Sequence, residues 1–567
     1  MPSHDFSKKL TGLLVPVFAL REEGDMGIGD TKSLRCAIDF CAAHHFGVLQ
    51  ILPINETGGD NSPYNAISSV ALDPVLLHMS PTEVPCLGKK DLKELAPAKA
   101  RDELNRGPVN YYKVKQLKLD LLHRAYANFR DGGAEQRADF ETFQKLHVRW
   151  LPGYSLFRAL LDEHHGDPRW PLWAPEWRTL DSAERNLTFS PHGVDIRDRQ
   201  KFYTFVQWVA YRQWNDVKKY ATSRRVMLMG DIPFGISRYG ADVWGERSLF
   251  SLEWSGGAPP EKHFKSDPFT VKWGQNWGIP LYDWPANERQ GFAWWKQRVA
   301  MTCNVFHAFR IDHVLGFFRV YSFPWTPERN AEFANLSEEE VKKITHGRIP
   351  QFVPHPDEPE EFAELNAQAG EKLLRMILNA AGDSIVVAED LGMVPTYVRP
   401  LLQEMGIPGF TIPTFERDEK DKSYTSSVEY PQINLVTYAT HDHPPIAQFY
   451  DDLVKYWTGP NGHEGWLEIC RLMEFLGLPS EEAPQSFTPE LHQEFIAALL
   501  ETDCWLAVLM ITDLFGTHQR FNAPGSTGAS NWSERLEASL ESLAQTTNNR
   551  QILEAAAELI AENDRSP

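Results

Sequence analysis

FRIDHVLGFFRVY, residues 309–321, places an arginine, an aspartate and a histidine within and directly after an apolar run, and then returns to aromatic residues. Side chains alternate between the two faces of a β-strand, so Ala308, Arg310 and Asp312 share one face. Buried charges are costly unless they are paired or used. The stretch therefore predicts a buried strand whose charged end lies beside a shared cleft, with the aromatic residues lining that cleft.

The same pattern recurs along the chain, as short apolar runs that end in polar loops containing glycine or proline. In order, the runs are GLLVPVFAL, GVLQILPI, VMLMGDIP, VFHAFRIDH, SIVVAED, GFTIPTF, LVTYATHDH and WLAVLMITDLFG. Such continuous runs are typical of parallel strands buried on both faces, and sequence of helical period separates several of them. Eight strand and helix units predict an α/β fold of the (β/α)8 TIM-barrel class.

Uneven spacing between the predicted strands indicates large insertions on one catalytic barrel that covers residues 1–567. Insertion subdomains are expected at approximately 55–222, where amphipathic helices such as NYYKVKQLKLDLLHRAYANFR occur, and at approximately 236–300. We expect these insertions to be mainly helical. The tail from Glu534 onward is rich in alanine, glutamate and leucine and predicts a terminal helix. No C-terminal β-sandwich is expected.

Composition limits the partners of the protein. A formal net charge of -20 argues against nucleic acid and against an anionic membrane surface, because both attract basic faces. The six cysteines show no metal-binding spacing, so we expect reduced thiols, no metal, no cofactor and a cytoplasmic location. Lys8 and Lys9 precede TGLLVPVFAL, which we interpret as a first strand rather than a secretion signal. A monomer or a homodimer is expected.

Three of the predicted strands end in carboxylates, which are Asp312, Glu389 and Asp442. Barrel active sites lie at the C-terminal mouth and take their groups from several strand ends. Retaining glycosyl transfer needs a nucleophilic carboxylate and an acid/base carboxyl about 5–5.5 Å apart. Crowding and burial raise the proton affinity of one carboxyl, and an adjacent arginine is expected to keep the nucleophile ionised.

Each of these motifs also has a purely structural explanation. An aspartate at a strand end often caps a helix, and a lone histidine such as His313 or His443 often only makes a structural hydrogen bond. Their joint occurrence in barrel order favours a catalytic cleft.

Longer motifs extend this hypothesis across most of the chain. GDIPFG, ADVW, GGAPPEKHF, GQNWGIPLYDW, FRIDHVLGF, VAEDLG, IPGF and THDH together resemble glycoside hydrolase family 77, the 4-alpha-glucanotransferases. Matching stretches run from PYN at Pro63 to FNAPG at Phe521. THDH stands where THDN is frequent in the family, so the resemblance leaves the role of His443 open.

The resemblance implies a role for each matching residue. Asp312 corresponds to the nucleophile, Glu389 to the general acid/base and Asp442 to the carboxylate that stabilises the transition state. The implied substrate-binding residues are Arg310, His313, His441, Trp277, Gln275, Tyr64, Ser62, Asp231 and Asn522.

The implied reaction moves an alpha-1,4-glucan segment from one maltooligosaccharide or glucan to the 4-hydroxyl of another, with retention and release of short sugars. An alpha-amylase-like hydrolase with the same three carboxylates is an alternative, as is a catalytically silent glucan-binding barrel. A phosphate-binding barrel enzyme is a further alternative, since GTHQRFNAPGSTGAS supplies glycines after the eighth strand.

Overall fold

The structure is a computed structural model that describes residues 4–190, 193–260, 267–418, 420–524 and 531–567. The last four residues of GGAPPEKHF and the final glycine of FNAPG lie outside these ranges. The strands are β1 (Leu10–Leu14), β2 (Val48–Gln50), β3 (Met227–Pro233), β4 (Phe250–Ala258), β5 (Gln275–Tyr282), β6 (Ala308–Asp312), β7 (Val320–Phe323), β8 (Gln351–Val353), β9 (Ile385–Ala388), β10 (Gly409–Thr411), β11 (Asn434–Val436) and β12 (Leu506–Met510).

Helices surround and connect these strands. They are α1 (Thr31–Ala43), α2 (Lys89–Leu95), α3 (Ala98–Leu104), α4 (Tyr111–Gly132), α5 (Arg137–Leu146), α6 (Leu151–Glu163), α7 (Leu180–Leu187), α8 (Gly193–Ser223), α9 (Ala241–Gly245), α10 (Pro268–Trp273), α11 (Trp284–Arg289), α12 (Ala293–Val305), α13 (Asn330–Phe333), α14 (Glu338–Ile344), α15 (Glu360–Ala381), α16 (Val398–Glu404), α17 (Ile446–Thr458), α18 (Gly462–Phe475), α19 (Pro489–Leu500), α20 (Ile511–Leu514), α21 (Leu540–Ala544) and α22 (Thr547–Glu562).

Eight parallel strands form the barrel, in the order β10-β11-β12-β1-β2-β3-β6-β9. Two hydrogen bonds join the first and last of them. The Ala388 N–H donates to the Pro408 carbonyl at 2.8 Å, and the Phe410 N–H donates to Oδ1 of Asp390 at 2.6 Å. Each of the eight predicted runs overlaps one of these strands, so the (β/α)8 prediction is confirmed.

The barrel interior is filled by apolar side chains from all eight strands. These include Leu14, Val48, Met229, Ala308, Val387, Phe410, Leu435, Val508 and Met510. Arg310 lies directly above this layer, with its guanidinium carbon 5.7 Å from the centre of the Phe410 ring. The alternation read from HAFRIDH therefore holds, because Ala308 fills the interior and Arg310 follows it towards the mouth.

The stretch between β2 and β3 carries α2 to α8, and α9 to α12 lie between β3 and β6. A second sheet was not predicted. It is antiparallel and has the order β5-β4-β7-β8, so it joins two strands that precede β6 to two that follow it. These strands are rich in glycine and aromatic residues and pair across long sequence separations, which hides them from a pattern search.

The described residues that follow β12 form α20, α21, α22 and connecting loops, with no strand among them. This agrees with the helical tail predicted from Glu534 onward. No helix in the described part of the chain combines the length and the apolar character that crossing a membrane requires.

Candidate active site

Arg310 is the centre of a charged cluster at the barrel mouth. Its Nη1 lies 2.5 Å from Oδ2 of Asp231, and its Nη2 lies 2.9 Å from Oδ1 of Asp312 and 3.0 Å from Oε1 of Glu389. The arginine side chain is only 3% exposed. One buried cation thus holds three carboxylates from three adjacent strands, which explains how the chain tolerates these charges.

The carboxyl groups of Asp312 and Glu389 are close together. Because both contact the same guanidinium nitrogen at 2.9 and 3.0 Å, their nearest oxygens are less than about 6 Å apart. Retaining glycosidases separate their two carboxyls by about 5–5.5 Å, whereas inverting ones use about 6.5–9.5 Å. The spacing therefore suits a retaining mechanism rather than an inverting one.

The turn after β6 fixes Glu389. His313 has a left-handed backbone with φ of 50°, and its N–H donates to Oε2 of Glu389 at 2.7 Å. Gly316, three residues on, must be glycine because an added Cβ would come within 2.6 Å of the Phe234 ring. The Phe234 N–H in turn donates to the Asp312 carbonyl at 3.2 Å. The ends of β3, β6 and β9 are thereby tied to one another.

Asp442 follows β11 on the other side of the mouth. Its Oδ1 accepts a hydrogen bond from the side-chain amide of Asn522 at 2.6 Å, and its Oδ2 lies 3.3 Å from Nε2 of His441. The Arg520 guanidinium donates to its backbone carbonyl at 2.9 Å. These contacts hold the third carboxylate in one orientation.

An aromatic cluster covers the base of the site near Asp231. The Tyr64 hydroxyl donates to Oδ2 of Asp231 at 2.6 Å, and the Tyr64 ring stacks on His441 with centroids 4.9 Å apart. Trp532 packs on both rings, at 5.8 Å from Tyr64 and 5.5 Å from His441. The sequence analysis missed Trp532, although an aromatic residue two positions after the glycine-rich stretch GTHQRFNAPGSTGAS was a usable signal.

These groups open into one cavity of about 570 Å³. The predicted residues that line it are Asp312, Glu389, Asp442, His313, His441, Trp277, Gln275, Tyr64, Ser62 and Asn522. Arg310 and Asp231 lie beneath its surface, in contact with the lining carboxylates and with Tyr64. The structure thus brings the predicted residues together, while their individual roles stay predictions.

One wall of the cavity comes from the antiparallel sheet. Its lining residues are Gly257 and Ala258 on β4, Gln275, Trp277 and Ile279 on β5, Tyr321 on β7 and Phe352 on β8. Trp277 is 40% exposed and meets the His313 ring edge-on at 5.0 Å. Tyr321 and Phe352 were not predicted as site residues, because β7 and β8 were not recognised as strands.

The expectation that the adjacent arginine keeps the nucleophile Asp312 ionised is not met. Burial raises the pKa of Asp312 to about 8, with Arg310 opposing this shift and Glu389 adding to it. Burial also acts to raise the pKa of Glu389, but Arg310 and the His313 N–H outweigh it, so that pKa is lowered. Arg310 therefore does not single out Asp312 for ionisation, because its Nη2 contacts both carboxyls equally closely.

The other ionisable groups of the site follow their surroundings. Burial lowers the pKa of His313 to about 4, so its ring is neutral near pH 7. Burial also acts to lower the pKa of His441, but the Asp442 carboxylate more than offsets this and the net shift is upward. The pKa of Asp442 is lowered, because His441 and Asn522 outweigh the effect of burial.

No group of three or more histidine, cysteine, aspartate or glutamate side chains among the described residues has an arrangement that could hold a metal ion. The carboxylates at the mouth face Arg310, Asn522 and His441 instead.

The barrel, the close carboxyl pair and the aromatic-lined cavity define a carbohydrate-active (β/α)8 enzyme of the retaining type. A family model described as 4-alpha-glucanotransferase, glycoside hydrolase family 77, matches residues 15–541. The chain belongs to this family.

Relatives in the family match along nearly all of the chain. A 4-alpha-glucanotransferase from Chlamydia caviae is 30% identical over 563 residues, which cover 96% of this chain and 92% of the relative. A 4-alpha-glucanotransferase from Chlamydia pneumoniae is 29% identical over 552 residues, which cover 94% of this chain and 92% of the relative.

A solved structure supports the fold. The amylomaltase from Streptococcus agalactiae, in complex with acarbose, superposes with a TM-score of 0.74 at 21% sequence identity, covering 99% of this chain and 100% of that one.

Proposed function

We propose that the protein transfers alpha-1,4-glucan segments between glucans or maltooligosaccharides by a retaining double displacement. The observation that carries the proposal is the contact of Asp312 and Glu389 with one nitrogen of Arg310, at the edge of an aromatic-lined cavity. This spacing matches the requirement for a covalent glycosyl intermediate.

In the first step, a carboxylate oxygen of Asp312 attacks the anomeric carbon and the glycosidic bond breaks. Glu389 gives its proton to the departing oxygen, and the shorter sugar leaves. Asp442, held by Asn522 and His441, stabilises positive charge that develops on the sugar ring. The product is a glycosyl ester on Asp312.

In the second step, the 4-hydroxyl of an incoming glucan attacks the same carbon. Glu389 takes the hydroxyl proton, and the bond between the sugar and Asp312 breaks. The bonds broken and formed are of the same kind, so the exchange needs no external energy source. Preference for a sugar over water requires binding energy from the acceptor side of the cavity.

The reaction requires a proton on Glu389 and none on Asp312, whereas the raised pKa of Asp312 and the lowered pKa of Glu389 favour the reverse. Since both carboxyls contact Nη2 of Arg310, moving the proton between them leaves the net charge around the guanidinium unchanged. A bound glycosidic oxygen accepts a hydrogen bond from protonated Glu389 and the anomeric carbon attracts ionised Asp312. We infer that substrate binding moves the proton to Glu389.

Sugar hydroxyls provide the partners for the remaining site residues. The neutral ring of His313, the His441 ring and the Asn522 amide line the cavity and can each bond a hydroxyl. Tyr64 stacks on His441 beside Asp442, and its N–H donates to the Ser62 hydroxyl oxygen. Gln275 and Trp277 lie on the antiparallel sheet. Asp231 and Arg310 act from below by fixing Tyr64 and the carboxyl pair.

We also propose a cytoplasmic enzyme that acts as a monomer or a homodimer on glucans. All six cysteines lie in the described residues and are unpaired, which suits a reducing compartment. The net charge of -20 suits a neutral substrate better than a polyanion.

Incubation with maltotriose alone, followed by product separation, tests the proposal. We expect glucose together with oligomers longer than the substrate, and we expect Asp312→Asn to reduce their formation by about a thousandfold or more. Asp198→Asn, on the exposed face of α8, is the matched control and should keep full activity. Reducing ends that rise steadily without longer products would favour the amylase-like hydrolase, and glucan binding without turnover would favour the silent barrel.

A further inference from the structure

The positions of the catalytic carboxyls show which end of the cavity holds the donor and which holds the acceptor. Asp442 stabilises the sugar ring that forms the ester on Asp312, so the leaving sugar, and later the acceptor, lies on the side of Glu389 away from Asp442. Leu391, Gly392 and Met393 follow Glu389 and line the cavity there. Asp442, Tyr64 and Trp532 crowd the opposite side. This inference rests on the function proposed above.

The antiparallel sheet reaches the acceptor side through Arg319. This arginine is 5% exposed and bonds Asp357 through Nε at 2.6 Å, while its Nη2 donates to the Met393 carbonyl at 3.4 Å. Its guanidinium carbon lies 3.8 Å from the centre of the Phe352 ring. Phe352 on β8 is thereby tied to the loop that follows Glu389.

Phe352 belongs to a row of side chains on one face of that sheet. Tyr321 pairs in register with Phe352 on one side and with Gly257 on the other, so all three project to the same face. The two aromatic rings meet edge-on at 5.3 Å. Gly257 has no room for a side chain, since an added Cβ would come within 1.9 Å of the Gln275 carbonyl. The row therefore leaves a strip of bare backbone at Gly257 beside the Tyr321 ring.

We propose that Tyr321 and Phe352 form an acceptor platform beyond Trp277, which selects glucans that extend several sugar units past the reacting bond. Strands in a sheet are about 4.8 Å apart, so the three spacings from β5 to β8 extend the wall by about 14 Å. Aromatic rings offer apolar surface to the faces of sugars, and held rings lose little freedom on binding. Arg319 holds the Phe352 ring before any substrate arrives.

The platform should change the binding of long acceptors and have no effect on the rate of the chemical steps. A donor such as α-maltotriosyl fluoride leaves the acceptor side empty, because fluoride replaces the leaving sugar. Transfer from it to glucose, maltose, maltotriose and maltotetraose then measures acceptor binding by length. In the wild type, we expect the acceptor KM to fall as the acceptor lengthens.

Phe352→Ala and Tyr321→Ala are expected to raise the KM for maltotetraose about tenfold, with the KM for glucose and kcat unchanged. Phe352→Leu retains apolar bulk without a ring, so its KM for maltotetraose should lie between those of the wild type and Phe352→Ala. This variant keeps the test valid if the alanine variants unfold. Phe189→Ala, at an exposed phenylalanine that does not line the cavity, is the matched control.

Unchanged KM values for all acceptors in the Phe352 and Tyr321 variants would overturn the platform, as would an equal rise for glucose and maltotetraose. Both results leave the proposed transfer reaction in place. A wild type that transfers to no sugar would instead overturn the proposed function itself.

Discussion

The barrel mouth and the antiparallel sheet contribute to the same cavity in different ways. At the mouth, Asp231 and Arg310 are in-register partners on β3 and β6, and Glu389 follows the neighbouring β9. Their charged atoms lie 2.5 to 3.0 Å apart. The sheet wall contributes rings and bare backbone, and its ion pair, between Arg319 and Asp357, supports the Phe352 ring.

This difference separates chemistry from selection. Attack and proton transfer demand fixed geometry, which the barrel provides because hydrogen bonds bind each strand on both sides. Selection of acceptor length needs only apolar surface in reach of the sugar chain. Changes at the mouth should therefore abolish turnover, and changes in the wall should alter substrate preference.

The largest contrast is expected between two buried arginines. Arg310→Met leaves Asp231, Asp312 and Glu389 without their shared cation, so we expect activity to fall by about a thousandfold or more. The free energy of unfolding should fall by about 3–5 kcal/mol, since unpaired buried charges remain. Product assays and denaturant unfolding measure both effects.

Arg319→Met is the matched comparison in the wall. It removes the support of Phe352 but no catalytic contact, so we expect kcat to persist while the KM for long acceptors rises about tenfold. Equal losses of kcat in the two variants would contradict the division between mouth and wall.

A smaller effect, on the stability of the protein, is expected from the raised pKa of Asp312 at the barrel mouth. The pKa of Asp312 is about 8 in the folded protein and about 3.9 in an unfolded chain. The folded state thus holds the proton more tightly, and ionisation costs stability increasingly as the pH rises from about 4 to about 8. Asp312→Asn removes this cost and should raise the unfolding temperature by about 2–4 °C at pH 8.

The same variant should show little stabilisation near pH 4, where the carboxyl is protonated in both states. Thermal unfolding of both proteins across this range measures the difference. A stabilisation that shrinks as the pH rises would contradict the assignment of a raised pKa to Asp312.

Much of the mouth could be predicted from local sequence. The period-two pattern in HAFRIDH and the apolar runs before Glu389 and Asp442 fix which side chains point into the barrel. The eight-strand prediction was right for the same reason, since each run is a continuous buried strand.

The wall could not be predicted in this way. Phe352 belongs to a three-residue strand after a helical stretch, and only its pairing with Tyr321 reveals its position. The proton distribution was also hidden, because it depends on which carboxyls share Nη2 of Arg310. Trp532 packs on Tyr64 although the two residues are far apart in sequence, so no local pattern links them.

The central claim is that Asp312 forms a covalent glycosyl ester while Glu389 supplies and removes the proton. Trapping the ester tests it directly. Glu389→Gln can react with α-maltosyl fluoride, whose leaving group needs no proton, but cannot activate an acceptor. Mass spectrometry of the quenched, digested protein should find one maltosyl group on the peptide that contains Asp312. An unmodified protein, or a maltosyl group on another residue, would contradict the account.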